Sequence, residues 1–155
     1  MVRMAIVVFT LFYALCCFAP CLAFEFDDCG STLGKFTEVV ISECSTSDEK
    51  CNFVRGTNAT MSINFKPNKD ISHIVARVYG ILNILPVPFP LSQPDVCKDP
   101  NAGLKCPLHK DQEYHYMTMM SIKKNFPSVN VKIKWEFVNE NNEKIVCIEF
   151  PAKVT

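Results

Sequence analysis

Residues 129–137 read VNVKIKWEF. Val129, Val131, Ile133, Trp135 and Phe137 take alternate positions, with Asn130, Lys132, Lys134 and Glu136 between them. Successive side chains of an extended strand point to opposite faces, so this spacing predicts a strand with one apolar and one polar face. The period is two, not the 3.6 of a helix, and it recurs outward from here. Met61, Ile63 and Phe65 alternate with Thr60, Ser62, Asn64 and Lys66; Ile74, Ala76 and Val78 alternate with Val75, Arg77 and Tyr79. Weaker strands are expected at 36–42, 113–123 and 144–150. Polar stretches separate them: TSDEKC, KPNKD, KDPNAG and NENNE. No long helical pattern, repeat or low-complexity segment stands out. Six or seven antiparallel strands, each with one polar face, predict an all-β fold of two packed sheets.

Two stretches depart from this pattern. Residues 113–123, EYHYMTMMSIK, are apolar or aromatic on both faces and carry three methionines, which fill irregular space flexibly. They read either as a strand buried on both sides at a sheet centre or as the wall of a cavity. Residues 87–97, VPFPLSQPDVC, follow Pro86 and set Phe89 between Pro88 and Pro90. Proline donates no ladder hydrogen bond and breaks helices, so neither strand nor helix is expected here. One reading is a rigid crossover with Phe89 plugged into the core. In the other, a donor-poor segment borders an apolar cavity, leaving few N–H groups to satisfy, and Phe89 forms its wall or gate.

The first residues indicate an exported chain. Arg3 precedes an apolar run from Ala5 to Leu15, and Ala23 offers a small residue for cleavage, so residues 1–23 read as a signal peptide. The run is too short for a membrane span. Of nine cysteines, Cys16, Cys17 and Cys21 leave with this segment. Cys29, Cys44, Cys51, Cys97, Cys106 and Cys147 remain, an even set that reads as three disulfides in an oxidising compartment. Zinc is the competing reading. No Cys-x-x-Cys pair occurs after residue 23, so no metal site is expected. Residues 24–155 then form one domain with a core of its own. Lys plus Arg and Asp plus Glu number 16 each, and no basic stripe points to nucleic acid. Asn58-Ala59-Thr60 is a glycosylation acceptor.

Catalytic equipment is sparse. The histidines, His73, His109 and His115, form no metal-binding pair, and five glycines leave little room for a phosphate loop. There is no Gly-x-Ser-x-Gly elbow. Asp27 and Asp28 are adjacent, so on an extended chain they point apart and read as a solvated pair. With the cysteines spent on disulfides, no thiol nucleophile remains. No catalytic residue and no cofactor is expected.

Seven motifs occur in order: DCGS at 28–31, a short Cys44…Cys51 loop, RG at 55–56, VPFPL at 87–91, CPL at 106–108, NFPSVNVKIKWEF at 125–137 and VCIEFP at 146–151. On these the chain resembles the ML lipid-recognition family and, within it, the Niemann–Pick type C two proteins, soluble sterol carriers. The similarity covers essentially all of 27–153. It implies an immunoglobulin-like sandwich whose sheets part to enclose a lipid in an apolar cavity. It implies the pairs Cys29–Cys147, Cys44–Cys51 and Cys97–Cys106, and it places the ligand-contacting positions at Phe89, Ile122 and Phe126. Family members commonly carry tyrosine where Phe126 stands, so this mouth is drier. The Cys97–Cys106 loop, KDPNAGLK, is longer than in mammalian members and resembles the arthropod branch, where carriers of fatty acids and semiochemicals also occur. The resemblance therefore implies a secreted, non-enzymatic, monomeric carrier of a sterol, fatty acid or similar molecule. Its partners would be a membrane surface or a membrane receptor, with lysosomal delivery as a further destination. The alternative is an innate-immune or chemosensory recognition protein.

Overall fold

A computed structural model describes residues 24–45 and 48–155; the expected signal segment, 1–23, lies outside the described residues. Nine strands form among the described residues: β1 (Asp27–Asp28), β2 (Gly34–Ile41), β3 (Cys51–Phe53), β4 (Asn58–Pro67), β5 (Val75–Leu82), β6 (Leu85–Phe89), β7 (Tyr114–Ser121), β8 (Asn130–Val138) and β9 (Lys144–Val154). One sheet runs β1-β9-β8-β5-β6, with β3 also paired to β9; the other runs β2-β4-β7. The architecture is an immunoglobulin-like β-sandwich.

Strand β8 is built from the VNVKIKWEF stretch, and its alternation sets the layers. Trp135 and Phe137 turn inward and are fully buried. From the opposite sheet, Phe65 of β4 and Tyr116 of β7 meet them. The Phe65–Phe137 centroids are 5.3 Å apart and the Tyr116–Phe137 centroids 4.8 Å, within the usual range for aromatic pairs. Met61 and Ile63 complete this packed end. Buried Tyr116 sits where ionisation is costly, and burial pushes its phenol up to about 12.

Three short strands lie outside the periodic runs. The two residues of β1 and three of β3 are too few to show a period. β3 pairs parallel to β9, so the expectation of antiparallel pairing alone is corrected. β6 corrects the reading of the proline-rich stretch, because a strand does run through Pro86, Val87, Pro88 and Phe89. It pairs antiparallel with β5, in the register Leu82↔Leu85, Gly80↔Val87 and Val78↔Phe89. Pro86 and Pro88 lie two apart, so both missing donors fall on the same side of the strand. The ladder bonds to β5 are left to Leu85, Val87 and Phe89. β6 is a sheet edge, where proline is tolerated because the N–H it lacks would have faced outward.

β7 brings a third correction. It is an edge strand with β4 as its one neighbour in the sheet, not a central strand buried on both faces. Tyr116 and Met120 point inward and are buried, while Met117 and Met119 are 48% and 61% exposed. Apolar side chains on the outer face had imitated two-sided burial. The free edge is partly covered by the 97–106 loop, where the Met117 N–H donates to the Ala102 carbonyl at 3.0 Å.

Disulfides join Cys29 to Cys147, Cys44 to Cys51 and Cys97 to Cys106. The first ties the segment after β1 to β9. The second ties the turn after β2, in one sheet, to β3, in the other. The third closes the loop over β7. Three disulfides fit an oxidising compartment.

Candidate functional site

The inward face of β8 changes size along its length. Trp135 and Phe137 fill one end of the sandwich, but Val131 and Ile133 replace large rings at the other and are only half-buried. β5 follows suit with Val78, Gly80 and Leu82, facing β8 in the register Gly80↔Ile133. Gly80 permits close approach: a Cβ there would stand 3.1 Å from Val131 Cγ2. The small residues leave a cavity of about 190 Å³ between the sheets.

β6 and the residue after it supply one wall: Val87, Pro88, Phe89 and Pro90. The opposite wall is Met120 of β7, then Ile122, Phe126, Pro127 and Val129 of the segment running to β8. Phe53 of β3 and Val154 of β9 close one end. Every lining residue is apolar, so the cavity offers dispersion contact and escape from water, and no group for proton transfer.

Phe89, Ile122 and Phe126, far apart in sequence, line this one cavity. The Phe89 and Phe126 rings meet edge to face, with centroids 5.6 Å apart. Both are half-buried, so they stand where the cavity meets solvent, whereas Ile122 is buried beneath. Pro88 and Pro90 fix the backbone on either side of Phe89, and Pro127 biases Phe126 toward an extended conformation. Val87, Pro88 and Pro90 lie in the donor-poor stretch, and Met120 in the methionine-rich strand, that the sequence offered as cavity walls; the lining from β3, β5, β8, β9 and Pro127–Val129 was not read from it. Its signal is the fall in inward side-chain size along β8 and β5.

The other candidate residues lie elsewhere. Asn58 is exposed at the start of β4. Asp28 accepts from the N–H groups of Gly30 and Ser31, both at 2.8 Å, and so caps the turn in DCGS. His115 bonds Asn64 on the outer face of the smaller sheet, and His109 lies in the turn before β7. Nε2 of His73 is 3.7 Å from Asp95 Oδ1. Among the described residues His73, Asp95 and Cys97 gather closely enough to suggest a metal, but Cys97 is bonded to Cys106 and has no thiolate to offer.

The molecule is thus a β-sandwich hollowed at one end by an apolar cavity. The ML domain model matches residues 23–154, and the chain belongs to the ML-domain family. It is 40% identical to the NPC intracellular cholesterol transporter 2 homolog a of Drosophila melanogaster over 132 residues, which cover 85% of this chain and 88% of that protein. It is 35% identical to the NPC intracellular cholesterol transporter 2 of Bos taurus over 144 residues, 93% of each. The crystal structure of a Niemann-Pick type C2 protein from Japanese carpenter ant superposes with a TM-score of 0.83 at 45% identity, covering 85% of this chain and all of that one. The fly and bovine relatives are named as cholesterol transporters, and the chain is a non-enzymatic member of their family.

Proposed function

We propose that this protein carries one sterol, fatty acid or similar apolar molecule in the cavity between its sheets and delivers it to a membrane or a receptor. One observation carries the reading: a cavity between sheets whose lining is apolar throughout and whose outer wall is the Phe89–Phe126 pair. Burial of ligand area supplies the driving force, at ~25 cal/mol per Å² of apolar surface. The relatives named as cholesterol transporters support a sterol as one ligand. Phe89, Ile122 and Phe126 are the proposed ligand contacts.

Delivery needs a surface that meets the acceptor. The β5–β6 turn carries Ile84, 95% exposed, and β6 opens with Leu85, 65% exposed, two residues before the Val87 that lines the cavity. An exposed apolar tip beside the cavity suits insertion into a lipid surface or an apolar receptor groove. The same tip would serve the second reading, recognition of a lipid for an immune or chemosensory receptor. On either reading the chain is secreted after loss of residues 1–23, bears its glycan at Asn58, works as a monomer, and reaches lysosomes or the extracellular space.

Titration of delipidated protein with dehydroergosterol and with a fluorescent long-chain fatty acid tests the proposal. Saturable binding of one molecule per chain is expected for at least one probe. Absence of saturable binding to both would overturn it.

A further inference from the structure

The turn at Val54–Thr57 contributes no lining residue to the cavity, yet it is bonded at three points to the segment that carries Ile122 and Phe126. The Gly56 N–H donates to the Ile122 carbonyl at 2.6 Å, and the Ile122 N–H donates to the Thr57 carbonyl at 2.9 Å. The Arg55 guanidinium donates through Nη1 to the Phe126 carbonyl at 3.3 Å. The other end of the turn is anchored as well, since the Arg55 N–H donates to the Thr155 carbonyl at 2.9 Å, just beyond β9. Gly56 has a φ of +84°, and a Cβ there would stand 3.0 Å from Cε and 3.1 Å from Cγ of Lys124. Only glycine adopts this backbone readily and leaves room for the Lys124 stem to lie across it.

We propose that the Arg55–Gly56 turn is a latch that positions the cavity's outer wall and so sets how fast ligand leaves. The proposal rests on the carrier reading, because it concerns release of that ligand. The chemistry explains both residues of the RG pair. Glycine permits the turn to lie against the 122–124 backbone. Arginine, with a planar fork of donors on a long stem, reaches past it to the carbonyl of Phe126, the residue whose ring faces Phe89. Arg55 itself is exposed, so its role is not to fill a core. It acts through the backbone of Phe126 and is a positioning residue. Ligand exit requires the Phe89–Phe126 contact to part, and this latch holds the Phe126 side in place.

The test uses Arg55→Ala, Arg55→Lys and Gly56→Ala beside the unaltered protein. Hydrogen exchange is measured in ligand-free protein, and the dissociation rate of preloaded dehydroergosterol or fluorescent fatty acid is measured separately. Arg55→Ala should speed dissociation about five- to tenfold, the net scale of one ordinary hydrogen bond, since this one is long and exposed. It should also raise exchange at residues 122–126 and leave β4, β8 and β9 protected. Gly56→Ala should do the same, and Arg55→Lys, with a shorter single-point donor, should fall between. An unchanged dissociation rate together with unchanged exchange at 122–126 overturns the latch. So does a fall in protection spread evenly over both sheets, which would mark a merely structural role. If exchange at 122–126 rises but the unaltered protein binds neither probe, the carrier reading and the release role fall together, leaving a turn that only stiffens the loop.

Discussion

Phe126 and Phe137 are both phenylalanines in aromatic contact, and their surroundings assign them different work. Phe137 is fully buried against Phe65 and Tyr116 at the packed end. Phe126 is half-buried at the cavity, touching Phe89. Phe137→Ala should therefore destabilise the fold by roughly 3–5 kcal/mol, as large-to-small core changes do. Phe126→Ala should weaken ligand binding at least about tenfold, the effect of losing one ring's ~1.5 kcal/mol of burial, with little change in melting of the ligand-free protein. Ile122→Asp should bind worse still, since its carboxylate would face an apolar ligand unpaired. Melting temperature and ligand affinity measured on each variant separate these cases; a large melting loss for Phe126→Ala would make it a core residue. Phe89 and Phe126 stand in the ordered motifs, and Ile122 was named through the family resemblance those motifs carry. Gly80 and Val131 could not be named, because a glycine or valine on an inward face has no chemical mark until its cross-strand neighbours are known.

At the scale of single elements, β6 shows why prolines suit a cavity wall. Pro86 and Pro88 remove donors from the free edge of the larger sheet, so another strand finds an incomplete ladder. Replacing both with threonine restores two N–H groups on that edge. The double variant should form dimers or larger species at concentrations where the unaltered protein is monomeric, with melting temperature almost unchanged. Light scattering and sedimentation report this, and a variant that stays monomeric would show that the edge needs no such protection. Alternation exposed β4, β5 and β8 in the sequence because each has one wet and one dry face. The same rule missed β6, whose residues are mostly exposed and whose prolines exclude a central position but not an edge. It left β7 ambiguous, since Met117 and Met119 are apolar yet face outward. Period reports the chemistry of faces, and an edge strand with an apolar outer face hides its place in the sheet.

For the molecule as a whole, the Cys29–Cys147 bridge closes nearly all of the domain, with a sequence separation of 118 against 7 and 9 for the others. In the chain-entropy model a loop of ~100 residues contributes ~4–5 kcal/mol and one of ~10 residues ~2.5 kcal/mol. Cys29→Ser with Cys147→Ser should therefore lower stability and secreted yield more than the paired loss of Cys97 and Cys106; the reverse order would contradict this. Acid tolerance follows from the carboxylates. Burial alone would raise the pKa of Glu136, but Lys134 at 2.7 Å and Lys144 at 3.3 Å hold it below its ordinary 4.5. Asp28 is likewise held below 3.8: burial acts to raise it, and the Ser31 and Gly30 N–H groups outweigh that. A depressed carboxylate contributes its full stability above its unfolded pKa and loses it as pH falls through the folded value. Melting temperature should thus hold from neutral pH down to about 5 and drop below about 4; a drop already at pH 6 would point to other groups. The whole-molecule plan, two sheets with a hollow end, was legible from alternation together with the motifs. The cavity's extent was not, because it depends on where inward side chains shrink on two strands at once. Native mass spectrometry of the protein purified gently from its source tests the central claim most directly. The account predicts a species carrying one apolar lipid per chain, which delipidation removes and added lipid restores. A protein that emerges empty and stays empty when sterol and fatty acid are supplied would contradict it.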